Sequence, residues 1–256
     1  MIRFKNVFHS YGSRNVLNDL SFSIDDGAFL GITGPSGSGK TTLCRLIAGL
    51  FPPSSGDMAI SGTRGFVMQF PENQIFGKTV IDDVMFGPLN IGMEKSKARE
   101  AAETALKMTG IPESLFGCNP LNLSGGEKRR VAIAGVLAMD CDILILDEPA
   151  AGLDETWHDR LFEILAKLNE AGKTIVLVSH NPQDIAEHCT SVLCLGDGKT
   201  DFGPVHEVFP RHDDLRTTAM ETAELMREKG LDPGAGVVSC CDFALNVAGL
   251  ISAHGV

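Results

Sequence analysis

No stretch of this chain is apolar for the 18 or more residues that a membrane-spanning helix needs; the nearest candidate, residues 237–253, is interrupted by Asp242 and Asn246. The beginning, Met1, Ile2, Arg3, Phe4 and Lys5, lacks the apolar block of a secretory signal and leads straight into a strand pattern. Positive charge is also scarce. With 22 Lys and Arg against 33 Asp and Glu the net charge is −11, which argues against binding to a nucleic-acid backbone and is read here as solubility. No C-x-x-C pair occurs among the seven cysteines (Cys44, Cys118, Cys141, Cys189, Cys194, Cys240, Cys241), and most have apolar neighbours. That pattern fits reduced, buried thiols in a cytoplasm, not a disulfide framework or a zinc site. Internal repeats and low-complexity segments are absent too. What remains is 256 residues, 43% hydrophobic and 21% charged, enough for one large globular domain or a domain with appendages.

Glycine is concentrated where it does chemical work. Gly34, Pro35, Ser36, Gly37, Ser38, Gly39, Lys40, Thr41 and Thr42 match G-x-x-x-x-G-K-[ST]. Residues 28–33 before it read as a short buried strand, and residues 43–50 after it as a helix with apolar spacing. Such a loop turns successive N–H groups onto phosphate oxygens beside the positive end of a helix. In this pattern Lys40 reaches the β- and γ-phosphates, and the Thr41 hydroxyl ligates Mg²⁺.

Three further segments carry chemistry. Leu123, Ser124, Gly125, Gly126 and Glu127 open a predicted helix running to about Met139; Ser124 and Glu127 have capping-box spacing, so the segment is either a cap alone or a cap with a second task. After Asp142, residues 143–146 form a continuous apolar run ending in Asp147 and Glu148, suited to a strand buried on both faces. Carboxylates at such a strand end are costly without a cation or a hydrogen-bonding partner, and ligands of open α/β sheets bind there. Residues 174–179 repeat the pattern and end at His180. Between these two strands, residues 155–171 read as an amphipathic helix whose Trp157, Leu161, Ile164, Leu165 and Leu168 are expected to face the sheet. Residues 95–108 favour helix, and residues 205–209 and 215–229 read as helices of a small C-terminal appendage.

Phosphate loop, Leu-Ser-Gly-Gly-Glu, strand-end Asp-Glu and strand-end His stand in one order at plausible spacings. Together, along about residues 2–210, they resemble the ATP-binding subunits of ABC transporters. Finer features resemble the energy-coupling-factor branch, which serves cobalt, nickel and vitamin uptake: Gln69, Phe70, Pro71, Glu72, Asn73 and Gln74, the run 83–90, and the run 129–139. The resemblance implies an α/β fold of the P-loop NTPase (RecA-like) kind: a mainly parallel sheet with an antiparallel β portion, a helical insertion and a small C-terminal appendage. Its expected division is residues 1–76 and 141–205 as ATP-binding core, 77–140 as helical signature subdomain and 206–256 as C-terminal extension. It also implies roles. Tyr11 stacks on adenine, residues 34–42 wrap the triphosphate, and Thr41, Gln69 and Asp147 hold Mg²⁺. Glu148 is the general base, with Gln69 and His180 as catalytic partners. Ser124, Gly125, Gly126 and Glu127 cap the ATP of a second ATPase subunit, identical or related, and Asp154 lies at that seam. An integral membrane subunit is expected to dock near Phe70 and Phe76, placing the chain peripherally on the cytoplasmic face of the cell membrane.

The chain also departs from the family pattern. Only 29 residues separate Lys40 from Gln69, so the intervening strands are expected to be trimmed. Glu127 stands where glutamine is common, Ala150 where threonine or serine is frequent, and about the last 45 residues carry none of the resemblance. The competing reading is a non-transport ABC ATPase of the cluster-assembly type, against which the segments around Phe70 and Phe86 argue. A regulatory, non-hydrolysing subunit is disfavoured because every catalytic position is filled.

Overall fold

The computed structural model describes residues 1–196, 200–229 and 232–246. Parts of the expected C-terminal extension, and residues 247–253 of the nearest apolar stretch, therefore lie outside the described residues. The chain opens with β1 (Ile2–Tyr11) and β2 (Arg14–Ile24), followed by β3 (Phe29–Thr33), α1 (Lys40–Ala48), β4 (Ser55–Ile60) and β5 (Arg64–Val67). Three helices come next: α2 (Val80–Asn90), α3 (Lys95–Met108) and α4 (Gly125–Leu137). Then β6 (Ile143–Asp147), α5 (Glu155–Glu170), β7 (Thr174–Val178), α6 (Pro182–His188), β8 (Ser191–Leu195), β9 (Thr200–Pro204), α7 (Val205–Val208) and α8 (Thr218–Glu228) complete it.

Two sheets result. A three-stranded antiparallel sheet has the order β2-β1-β4, and a six-stranded sheet the order β5-β6-β7-β3-β8-β9, parallel except for β9. Every residue of β3, β6 and β7 is buried, as unbroken apolar runs in a covered parallel sheet require. In β1 the alternation slips after Phe4. Asn6 of β1 and Asp19 of β2, both at φ 48°, mark the irregularity and are joined by a 2.8 Å side-chain hydrogen bond. The extra residue restores Val7 to the buried face, the usual effect of a bulge. One core lies between the antiparallel sheet, α1 and the main sheet; a second covers the main sheet's other face with α5 and α6.

The helices α2, α3 and α4 share a separate apolar cluster built on Val84, Ala102, Leu106 and Val131. They enter the chain between β5 and β6, which are paired neighbours, so the insertion leaves the sheet unbroken. Helix α2 lies within the expected helical insertion, and its ninth residue is Pro88. Its start is fixed locally: the Thr79 hydroxyl accepts from the Asp82 N–H, and buried Asp83 accepts the N–H groups of Phe76 (2.8 Å) and Gly77 (2.6 Å). On α5, Leu161 and Leu165 join the sheet core and Leu168 packs against it as expected, but the buried Trp157 and Ile164 lie outside that cluster. Trp157 is covered by Arg130 of α4, whose guanidinium carbon lies 5.5 Å from the ring centroid.

Candidate active site

The loop between β3 and α1 is shaped by its glycines. Gly34 has φ 139°, and a Cβ there would stand 2.0 Å from the Leu195 carbonyl oxygen of β8. The loop is thus seated directly on the sheet. Replacing Gly34 with Ala is expected to cost about 3 kcal/mol of stability and to open the loop. An unchanged melting curve would contradict this seating. Lys40, the first residue of α1, is 6% exposed and donates from Nζ to the carbonyls of Gly34 (2.7 Å) and Pro35 (3.0 Å). Its ammonium is held at the centre of the loop. Burial lowers its pKa from the ordinary lysine value, while the charges of Glu148 and Asp147 oppose that shift.

A pocket of about 680 Å³ opens over this loop. Of the expected residues, Tyr11, Ser36, Gly37, Gly39, Lys40, Thr41, Thr42, Gln69, Glu148 and His180 line it. Gly34 and Pro35 face a different cavity, between the loop and β8, and Ser38 faces β2. Arg14 and Val16, which the sequence did not single out, line the pocket beside Tyr11. Their signal was the Tyr11-Gly12-Ser13-Arg14 turn, which returns β2 past the same opening. Tyr11 is braced edge-on by His9 and Phe51, with centroids 5.0 and 6.0 Å away.

At the strand ends the carboxylates take different environments. Glu148 has φ 53°, a strained conformation for a non-glycine residue, fixed in part by its N–H bond to the Val178 carbonyl at 3.1 Å. Its carboxylate is clamped: Gln69 Nε2 donates to Oε2 at 3.1 Å, and His180 Nε2 lies 2.8 Å from Oε1. Asp147 is 1% exposed, and among the described residues its oxygens have no close hydrogen-bond partner. Burial raises its pKa, opposed by the nearby Thr41 hydroxyl. A buried carboxylate with a hydroxyl nearby offers hard oxygen donors that suit Mg²⁺.

Ser124, Gly125, Gly126 and Asp154 are exposed, and together with Glu127 they lie outside this pocket. Ser124 caps α4 by accepting from the Glu127 N–H, and Glu127 returns the bond to the Ser124 N–H at 2.8 Å, so both halves of the capping box form. Asp154 caps α5 through the Trp157 N–H at 2.9 Å. A Cβ added at Gly125 or Gly126 would meet nothing within 4 Å. Among the described residues, therefore, no packing contact calls for glycine at either position.

A phosphate loop on a mainly parallel sheet, with a clamped carboxylate just past the end of β6, defines a nucleoside-triphosphate hydrolase. The ABC transporter family pattern matches residues 17–151. The energy-coupling factor transporter ATP-binding protein EcfA2 of Streptococcus thermophilus is 40% identical, with 96% of this chain and 91% of that protein aligned. In fold, cbiO1 from Clostridium perfringens, part of the ABC transporter complex cbiONQ, is similar at TM-score 0.73 and 30% identity, covering 89% of this chain and 94% of that one. A dimeric post-hydrolysis state of the ATP-binding cassette MJ0796, bound to ADP and Pi, is similar at TM-score 0.73 and 31% identity over 80% of this chain and 99% of that one. The chain belongs to the ABC transporter family, in its energy-coupling-factor branch, and is an ATP-binding, ATP-hydrolysing subunit coupled to transport. The non-transport alternative is not favoured.

Proposed function

We propose that the chain powers an importer of transition-metal ions or vitamins from the cytoplasmic face of the membrane, closing over ATP with a second ATPase subunit. Tyr11 carries the adenine and residues 34–42 the phosphates. Thr41, Asp147 and Gln69 through its Oε1 would hold Mg²⁺, which supplies charge neutralisation on the phosphate oxygens. Glu148, clamped by Gln69 and His180, accepts the proton of the attacking water, and His180 orients the γ-phosphate end. Ser124, Gly125, Gly126 and Glu127 offer a helix N-terminus to the γ-phosphate bound on the neighbouring subunit, with Asp154 at the same seam. The core then comprises residues 1–76 and 141–205, the signature subdomain 77–140 and the extension 206–256. One observation carries this reading: Lys40, Thr41, Gln69, Glu148 and His180 converge in one pocket while the capped Ser-Gly-Gly turn stands outside it, with glycines that no packing contact among the described residues requires.

The membrane partner meets a groove of about 520 Å³ between the Pro71–Gln74 turn of 3-10 helix, α2 and α4. Phe76 and Phe86 form an exposed edge-on pair there, centroids 4.5 Å apart, with Phe70 also exposed nearby. Among the described residues no helix is long and apolar enough to cross a membrane, so the partner supplies the span. Phe76→Asp, or Phe70→Asp, is expected to weaken association about tenfold or more while ATP binding persists. Purification from gently solubilised membranes tests both claims: a small membrane protein and a substrate-binding membrane subunit should accompany the wild type and be lost from Phe76→Asp. Recovery of the wild-type chain alone would contradict the transporter role.

A further inference from the structure

Behind Glu148 and His180 a smaller cavity of about 210 Å³ is bordered by one buried carboxylate, Asp184 of α6. Asp184 is 5% exposed and accepts from Ser179 Oγ at 2.9 Å and from Asn181 Nδ2 at 2.7 Å. A third group reaches it from another element: His158 Nε2 of α5 lies 3.1 Å from Asp184 Oδ1. A carboxylate only accepts, so the imidazole donates from Nε2. The other ring nitrogen lies 3.4 Å from exposed Asp159, and the ring packs on Phe162 at 4.8 Å. Three donors on one carboxylate make a satisfied, charge-assisted hub that is costly to disturb.

The position of this hub gives it consequence. Ser179 and Asn181 flank His180, and the Asn181 N–H is further tied to Ser179 Oγ at 3.0 Å. The His180 ring is half exposed, and among the described residues Glu148 is its polar partner. Its placement therefore depends on the turn that Asp184 anchors. His158 stands one turn beyond Asp154, its N–H bonded to the Asp154 carbonyl at 2.9 Å, so the brace comes from the helix that begins at the exposed seam residue.

Resting on the role proposed above for His180, we infer that Asp184 and His158 are positioning residues for ATP hydrolysis: the carboxylate, braced from α5, holds the His180 turn so that the ring stays on Glu148. Neither residue touches the nucleotide pocket, so their loss acts on turnover and spares ATP binding.

Steady-state hydrolysis and ATP binding by the assembled transporter test this with four variants. His158→Leu removes the outer donor, and a misplaced catalytic group is expected to lower kcat about tenfold with KM for ATP within about twofold. Asp184→Asn is expected to give the same split. His158→Arg returns a donor to the same oxygen and should recover turnover to within about threefold of wild type. If His180→Ala turns over normally, the role of His180 fails and this inference with it. If His180→Ala is inactive while His158→Leu matches wild type, His180 keeps its role and the positioning pair does not exist. Loss of ATP binding and melting temperature in step with turnover in both His158→Leu and Asp184→Asn, without rescue by His158→Arg, also overturns the inference, because the pair then only holds the fold.

Discussion

Glu148→Gln should hydrolyse ATP roughly 10²-fold or more slowly than wild type while binding it as tightly, because a general base contributes in that range and the amide cannot accept the proton. Glutamine matches glutamate in size, so the clamp from Gln69 and the backbone at φ 53° can both persist. What changes is charge and proton affinity at one oxygen pair. The phosphate loop is untouched: Lys40 remains anchored between the Gly34 and Pro35 carbonyls, and the Gly34 seat on β8 does not involve Glu148. The variant should therefore accumulate with ATP bound. Parallel turnover and nucleotide-binding assays check this. Turnover within a few-fold of wild type would remove Glu148 from the role of base and leave its clamp unexplained.

Ser124→Arg should abolish cooperative hydrolysis by the paired subunits, at a cost of about 10²-fold or more in rate, the scale for losing a preorganised donor at developing charge. In the lone chain the substitution is nearly harmless. Ser124 is exposed, its two glycine neighbours face open space, and loss of the N-cap costs only about 1 kcal/mol. An arginine side chain there obstructs closure against a neighbour without reaching its own pocket. The expected signature is normal melting, normal ATP binding at the chain's own loop, and loss of cooperativity. Undiminished cooperative turnover would show that the turn does not complete a neighbour's site.

Much of the pocket could be read from local sequence because its parts are local. A phosphate loop needs contiguous glycines, a lysine and a hydroxyl. Asp147 closes a strand whose five residues, Ile143–Asp147, are all buried, and Glu148 follows it directly. The missed features are those set by contacts between distant segments. Arg14 enters the pocket only because β2 pairs back along β1. Trp157 has the spacing of a sheet-facing residue but packs under Arg130, which the α5 periodicity alone cannot reveal. The start of helix α2, inside the expected helical insertion, depends on Asp83 gathering two N–H groups from the preceding turn. The Asp184 hub joins α5, α6 and the end of β7, three segments with no shared sequence period.

The composite site is tested most directly by the structure of the Glu148→Gln chain bound to its partner ATPase subunit with ATP and Mg²⁺. The γ-phosphate should lie between the Lys40 loop of one subunit and the Ser-Gly-Gly turn of the other, with Ser124 of this chain facing the nucleotide held by its neighbour. A nucleotide whose γ-phosphate faces solvent, with Ser124 contacting only its own chain, would contradict the account.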